Sequence, residues 1–183
     1  MSKITKDIYL SNLSYAQEYN QEYESVISII DSNEDNIGFT HKNHLKLIFK
    51  DDDLSNLQNP IDKAYEFITH RSLLKKADDV KVNEVKKKLI LVHCRAGVSR
   101  SPSIVIGYLM KKYNYSFLLS YIMVVKARSI INPNKSFFKQ LSMLSGNDHG
   151  FCRTCYLEMN SIELKNHNCD YTREHYFKLL KII

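Results

Sequence analysis

The stretch "LVHCRAGVSRS" at residues 91–101 sets a histidine, a cysteine, a glycine, two arginines and two serines behind an apolar run. The whole chain holds only five glycines and four cysteines, so this concentration of reactive types marks a place. Between Cys94 and Arg100 stand Arg95, Ala96, Gly97, Val98 and Ser99. Wrapped around a point, these residues turn their backbone N–H groups inward and, with the start of a following helix, form a positive cradle sized for a tetrahedral oxyanion. Gly97 allows the turn without a Cβ penalty. Arg100 closes the cradle with a planar fork that grips two phosphate oxygens, which a lysine could not reproduce. Cys94 then lies at the bottom, where the same dipoles favour a thiolate. A lone cysteine after an apolar strand is more often an inert core residue; His93, Gly97 and Arg100 reverse that reading here.

Elements must hold such a loop in place. "KLILVH" at 88–93 is apolar at consecutive positions, as suits a central strand buried on both faces, and "SPSIVIGYLMKKY" just after the loop is helix-forming. The unit is strand, loop, helix, with the loop at the C-terminal end of a central strand, where open α/β sheets bind ligands. Further strands are predicted at 7–12, 24–31 and 45–49, and helices at 14–23, 59–71, 101–113, 116–128 and 135–145. Strands alternating with helices predict an α/β fold: a central, mostly parallel sheet flanked by helices, with a short C-terminal appendage. Turn-forming "SGNDHG" at 145–150 divides a catalytic domain over 1–145 from a tail over 146–183.

Composition agrees with an ordinary folded domain. Of 183 residues, 44% are hydrophobic and 25% charged, which excludes wholesale disorder. No apolar run reaches the roughly 18–20 residues of a membrane span, and "MSKITKDIYLSN" lacks the apolar core of a secretory signal. An intracellular protein, cytoplasmic or nuclear, with reduced thiols is expected. The net charge of +6 is compatible with anionic partners. It is spread through a Lys-rich chain, however, and "KKADDVKVNEVKKK" at 75–88 mixes both signs as a solvated loop does, so neither nucleic acid nor membrane is expected as a partner.

Cys94-x5-Arg100 resembles the motif of the cysteine-dependent phosphatases, and "HCRAGVSRSP" is similar to the form carried by dual specificity protein phosphatases. "IYLSNLSYA" at 8–16 resembles that family's opening strand. "YSFLLSYIMVVKARSIINPNKSFFKQL" at 115–141 resembles its long helix, its arginine and Pro-Asn turn, and its closing Phe-x-x-Gln-Leu. With no kinase-docking domain ahead of residue 1, the chain looks like a small atypical member. The resemblance implies in-line attack by Cys94 on phosphorus, with residues 95–99 and Arg100 binding the phosphoryl oxygens. A phosphocysteine intermediate, Ser101 stabilising the leaving thiolate and His93 orienting the loop are implied as well. A general acid follows an upstream strand in this family, and "HLKLIFKDDDLSNL" is the matching place. Counting back from "AYEFI" at 64–68 gives Asp51, with Asp52 the alternative and Asp53 less favoured. Phosphorylated proteins bearing phosphotyrosine, phosphoserine or phosphothreonine are the implied substrates. The alternatives are RNA 5′ ends, phosphoinositides, or a catalytically dead phosphopeptide-binding module.

The tail carries Cys152-x2-Cys155, then His167 and Cys169, a set that could close a tetrahedral structural zinc site, with His149 or His175 as substitutes for a ligand. Catalysis itself calls for no cofactor. "TREHYFKLLKII" at 172–183 places Tyr176, Leu179, Leu180 and Ile183 on one helical face, fit to dock on the domain.

Overall fold

The computed structural model describes residues 1–31, 36–78, 88–144, 149–152 and 158–167. The elements run β1 (Ser2–Lys3), β2 (Ile8–Asn12), α1 (Leu13–Tyr19) with a 3-10 turn (Asn20–Glu22), β3 (Tyr23–Ile30), β4 (His44–Ile48) and α2 (Gln58–Asp78). They continue with β5 (Lys88–Cys94), α3 (Arg100–Tyr113), α4 (Phe117–Ala127), α5 (Lys135–Leu144), β6 (His149–Phe151), β7 (Glu158–Asn160) and α6 (Ser161–Asn166). The main sheet has the order β1-β2-β5-β3-β4. All its pairs are parallel except β1 with β2. The α/β architecture is the one expected from the sequence.

β5 sits at the middle, paired with β2 on one side and β3 on the other, and both Ser11 and Ser28 lie opposite His93. Every residue from Leu89 to Cys94 is buried. A strand hydrogen-bonded along both edges and covered on both faces has no room for alternation, hence its unbroken apolar run. Cys94, Val92 and Ile90 belong with the larger core, which includes Ile104, Val105 and Leu109 of α3, Ile61 and Ala64 of α2, and Phe117 and Tyr121 of α4. Leu91 lies on the opposite face with Val26, Tyr23 and Ala16 of α1. α3 is buried from Arg100 to Met110, and Gly107 is required there: a Cβ would stand 2.4 Å from Ile61 Cδ1.

Local chemistry sets the ends. Asn12 caps α1 by accepting from the Tyr15 N–H at 3.0 Å, and Ser116 caps α4 by accepting from Leu119 N–H at 3.2 Å. Asn114 ends α3 in the left-handed region, φ 53°. α2 runs seven residues beyond the predicted 71, because "SLLKKAD" holds no breaker and Ser72 Oγ bonds back to Ile68 O. After α5 the chain returns to the core: Phe151 is 2% exposed, with its ring centroid 4.8–5.0 Å from those of Phe117, Tyr121 and Phe138.

Candidate active site

Residues 95–98 carry four consecutive carbonyl groups, and each is taken by a donor from outside the loop. Leu13 N–H bonds Arg95 O at 3.1 Å, and Asn132 N–H bonds Val98 O at 2.7 Å. The Arg128 guanidinium supplies the other two, with Nη2 to Ala96 O at 3.4 Å and Nε to Gly97 O at 2.8 Å. With the oxygens pinned outward, the peptide planes turn their N–H groups toward the centre of the loop. Gly97 has φ +68°, and a Cβ there would stand 2.4 Å from Ser11 O, so this position excludes a side chain twice over.

At the centre lies Cys94, 3% exposed. Its Sγ accepts from the Gly97 N–H at 3.2 Å and from the Ser101 hydroxyl at 3.1 Å. Ser101 stands in the first turn of α3, whose N-terminus adds its positive end to the cradle. Arg100 is buried, with Nη1 3.8 Å from Asp31 Oδ2, a carboxylate at the end of β3 that steers the guanidinium. Burial works against the charge of Arg128 and lowers its pKa, while nearby Cys94 pulls in the other direction.

Across the loop stands the segment after β4. Asp51 is exposed and reaches the loop through Oδ1, which accepts from Ser99 Oγ at 2.7 Å and from Asn134 Nδ2 at 2.7 Å. Ser99 Oγ in turn accepts from the Asn134 N–H at 3.0 Å. Both donors fall on one carboxylate oxygen. Asp52 is occupied differently. Its Oδ1 accepts from the Ser55 hydroxyl and from the Ser55 and Leu54 N–H groups, and these bonds, the hydroxyl first, hold its carboxyl below the usual range. Asp53 is exposed, and its carbonyl accepts from Ser136 Oγ at 3.3 Å.

Behind the loop, His93 is fully buried with Nε2 2.6 Å from Ser28 Oγ. Burial pushes its pKa down to about 4, the neighbouring Cys94 backbone working against that shift, so the ring is neutral at pH 7. In the tail, Cys152 and His167 are partly exposed, whereas Cys155 and Cys169 lie outside the described residues, as does His175. Among the described residues no three His, Cys, Asp or Glu side chains form a group that could hold a metal ion.

The model of the dual specificity phosphatase catalytic domain matches residues 8–146. The chain belongs to the dual specificity phosphatase family. Among its relatives, dual specificity protein phosphatase 18 of Pongo abelii is 31% identical over 141 residues, 77% of this chain and 70% of that one. Protein phosphatase Slingshot of Drosophila melanogaster is 43% identical over 96 residues, 52% of this chain and only 8% of that much longer protein. The crystal structure of human tyrosine phosphatase-like serine/threonine/tyrosine-interacting protein superimposes with a TM-score of 0.65 at 25% identity, covering 80% of this chain and 95% of that one.

The family match runs from β2 through the cysteine loop to α5, and thus includes every residue from Asp51 to Asn134 described above. Sequence reading singled out the loop from residue 93 to 101 and the aspartate triplet. It did not find Ser28, Asp31 or the contacts that Arg128 and Asn134 make. Arg128 and Asn134 fall within a stretch whose family likeness was visible, but Ser28 and Asp31 carry no motif and are found only when β3 is laid beside β5.

Proposed function

We propose that the protein hydrolyses phosphotyrosine and phosphoserine or phosphothreonine in protein substrates through a phosphocysteine at Cys94. The observation that carries this reading is the loop itself: a buried sulfur that accepts from Gly97 N–H and Ser101 Oγ, inside a ring of peptides whose carbonyls are all held outward. In the first step the Cys94 thiolate attacks phosphorus opposite the leaving oxygen. The S–P bond forms, the P–O bond breaks, and Asp51 gives its proton to the departing oxygen. Inward N–H groups and the Arg100 fork hold the equatorial oxygens, whose charge they match better in the transition state than in the ground state. In the second step a water attacks phosphorus while Asp51 takes its proton back. The S–P bond breaks, and the Ser101 hydroxyl steadies the returning thiolate. His93, bonded to Ser28 across β3, anchors the end of the strand on which Cys94 stands.

Asp51 is preferred to Asp52 as the acid because its carboxyl is tied to the loop through Ser99, whereas Asp52 closes its own turn. The loop residues between Cys94 and Arg100 include one arginine and otherwise small or apolar side chains, which favours protein substrates over inositol lipids and RNA 5′ ends. Turnover of an aryl phosphate and of phosphotyrosine, phosphoserine and phosphothreonine peptides tests the reading, set beside triphosphorylated RNA and inositol lipids. Cys94→Ser abolishes hydrolysis and traps substrate. Activity that survives this substitution, or a preference for RNA or lipid, overturns it.

A structural zinc on Cys152, Cys155, His167 and Cys169 is a separate proposal, supported by ligand type and by the C-x2-C spacing alone. Elemental analysis of protein purified without chelator is expected to find about one equivalent. A content near zero, with the tail thiols titratable in the native state, refutes it.

A further inference from the structure

Three polar side chains, two of them fully buried, form a line on the face of the sheet opposite Cys94. His93 Nε2 lies 2.6 Å from Ser28 Oγ, and the same oxygen lies 2.7 Å from His44 Nε2. Ser28 and His93 are direct partners across β3 and β5, and His44 opens the neighbouring strand β4. Phe39 roofs the line: its ring stacks on His44 at 5.5 Å and 13° and lies 5.8 Å from His93. His93 and Ser28 are fully buried, while His44 is partly exposed.

The chemistry of this line is restrictive. A serine hydroxyl has one proton, so with a ring nitrogen at hydrogen-bond distance on each side it donates to one and accepts from the other. One imidazole therefore carries its proton on Nε2 and the other on Nδ1. Both rings are held neutral: burial pushes His44 as well as His93 down to about 4, and the adjacent Lys46 and His41 push His44 further the same way. His41 is itself engaged with the Tyr23 and Asn43 carbonyls at 3.1 Å. The tautomer of His93 is thus set by a residue on another strand.

We infer that His44 is a positioning residue for the nucleophile: through Ser28 it fixes the tautomer and ring orientation of His93, and thereby the backbone from which Cys94 and its loop project. The inference rests on the reading of Cys94 as the nucleophile. Cutting the line lets the His93 ring turn, loosens the Gly97 N–H that faces Sγ, and leaves a thiolate there less well stabilised.

The decisive measurement is the rate of Cys94 alkylation by iodoacetate against pH, which reports the thiolate directly and needs no phosphatase activity. In Ser28→Ala and His44→Leu the rate at pH 6 falls about tenfold, the effect of one lost hydrogen bond, while the rate at pH 9 is unchanged. In His44→Gln, whose amide can both donate and accept, it returns to within about twofold of wild type. The comparator is Ser25→Ala, the same chemical change on the same strand at a buried hydroxyl that makes no hydrogen bond; it keeps the wild-type profile. Nitrogen-15 spectra of the histidine rings in the wild-type protein show both rings neutral at pH 7 and in opposite tautomers. Equal tautomers, or profiles for Ser28→Ala and His44→Leu that match Ser25→Ala, overturn the inference. Wild-type protein that alkylates as described but fails to hydrolyse any phosphate ester would overturn the proposed function and leave this result standing.

Discussion

The Cys94 loop and the Asp51 segment meet through the bond from Ser99 Oγ to Asp51 Oδ1, yet they are built in opposite ways. The loop at 94–100 is held through its backbone: four carbonyls in a row take donors from α1, Arg128 and the turn before α5, and Cys94, Gly97, Ser99 and Arg100 are buried. In the segment at 51–53 Asp51 and Asp53 are exposed and Asp52 partly so, and Asp51 is held through one carboxylate oxygen by two side-chain donors. Backbone anchoring fixes where oxyanions bind irrespective of side-chain identity. Side-chain anchoring leaves Asp51 adjustable, as suits the proton-transfer role proposed for it.

Breaking the adjustable side has the largest expected effect, and only on some substrates. Asp51→Asn slows turnover of an alkyl phosphate by about 10² to 10⁴ and flattens the basic limb of the pH profile. It leaves an aryl ester with a strongly acidic leaving group nearly unchanged, since that group departs without a proton. Gly97→Ala attacks the fixed side. Its Cβ meets Ser11 O, the loop must shift, and turnover falls by about 10² to 10³ on both esters alike, the cost of misplaced oxyanion donors. Equal losses for the two esters in Asp51→Asn would erase the distinction between the regions. Smaller again is Asn134→Asp, which keeps the acceptor that caps Phe137 N–H at 2.8 Å but removes the amide donor from Asp51. A drop of about tenfold on the alkyl ester, with thermal stability retained, is expected. Asp52→Asn is the mildest, within about twofold, because an asparagine oxygen can close the same turn.

The two regions also differ beneath the surface, and a titration reads that difference. The folded protein holds the His93 and His44 rings to about 4, whereas in the unfolded chain they accept protons near the ordinary value of about 6.5. Stability from this pair is therefore complete above pH 6.5 and lost as the pH falls toward 4, where protons bind the unfolded chain first. His93, the deeper ring, supplies on the order of 3 kcal/mol by this linkage, and half-exposed His44 less. Thermal melts between pH 7 and 4 check this, and His44→Gln flattens the decline.

How much of this was legible beforehand follows from how each part is encoded. Cys94 and Arg100 stand six residues apart on one loop, so their relation is written in the order of the chain. The four long strands and the five longer helices were likewise marked by apolar runs and by spacing. Ser28, His44 and His93 lie 16 and 49 residues apart along the chain and meet only through strand pairing, which leaves no spacing signature. Two of the four donors on the loop carbonyls are backbone N–H groups, present in every residue except proline, and no residue type announces those two. β1 spans two residues and β6 three, too short to show a period. The acid remained ambiguous between Asp51 and Asp52 because neighbours of one type differ only in what they touch.

The strand order has a consequence for how the molecule comes into being. β2 and β3 are both made before residue 31, but they do not pair with each other; each pairs with β5, which is not complete until Cys94. During synthesis the N-terminal strands must therefore wait, one edge of each unsatisfied, for a segment more than fifty residues further on. Long-range parallel pairing of this kind is slow to form and exposes strand edges meanwhile. The strand that ends in Cys94 is the last of the main sheet to be made and the one that locks it. A chain released before it arrives has neither a complete main sheet nor Cys94, so partial products lack the proposed nucleophile altogether.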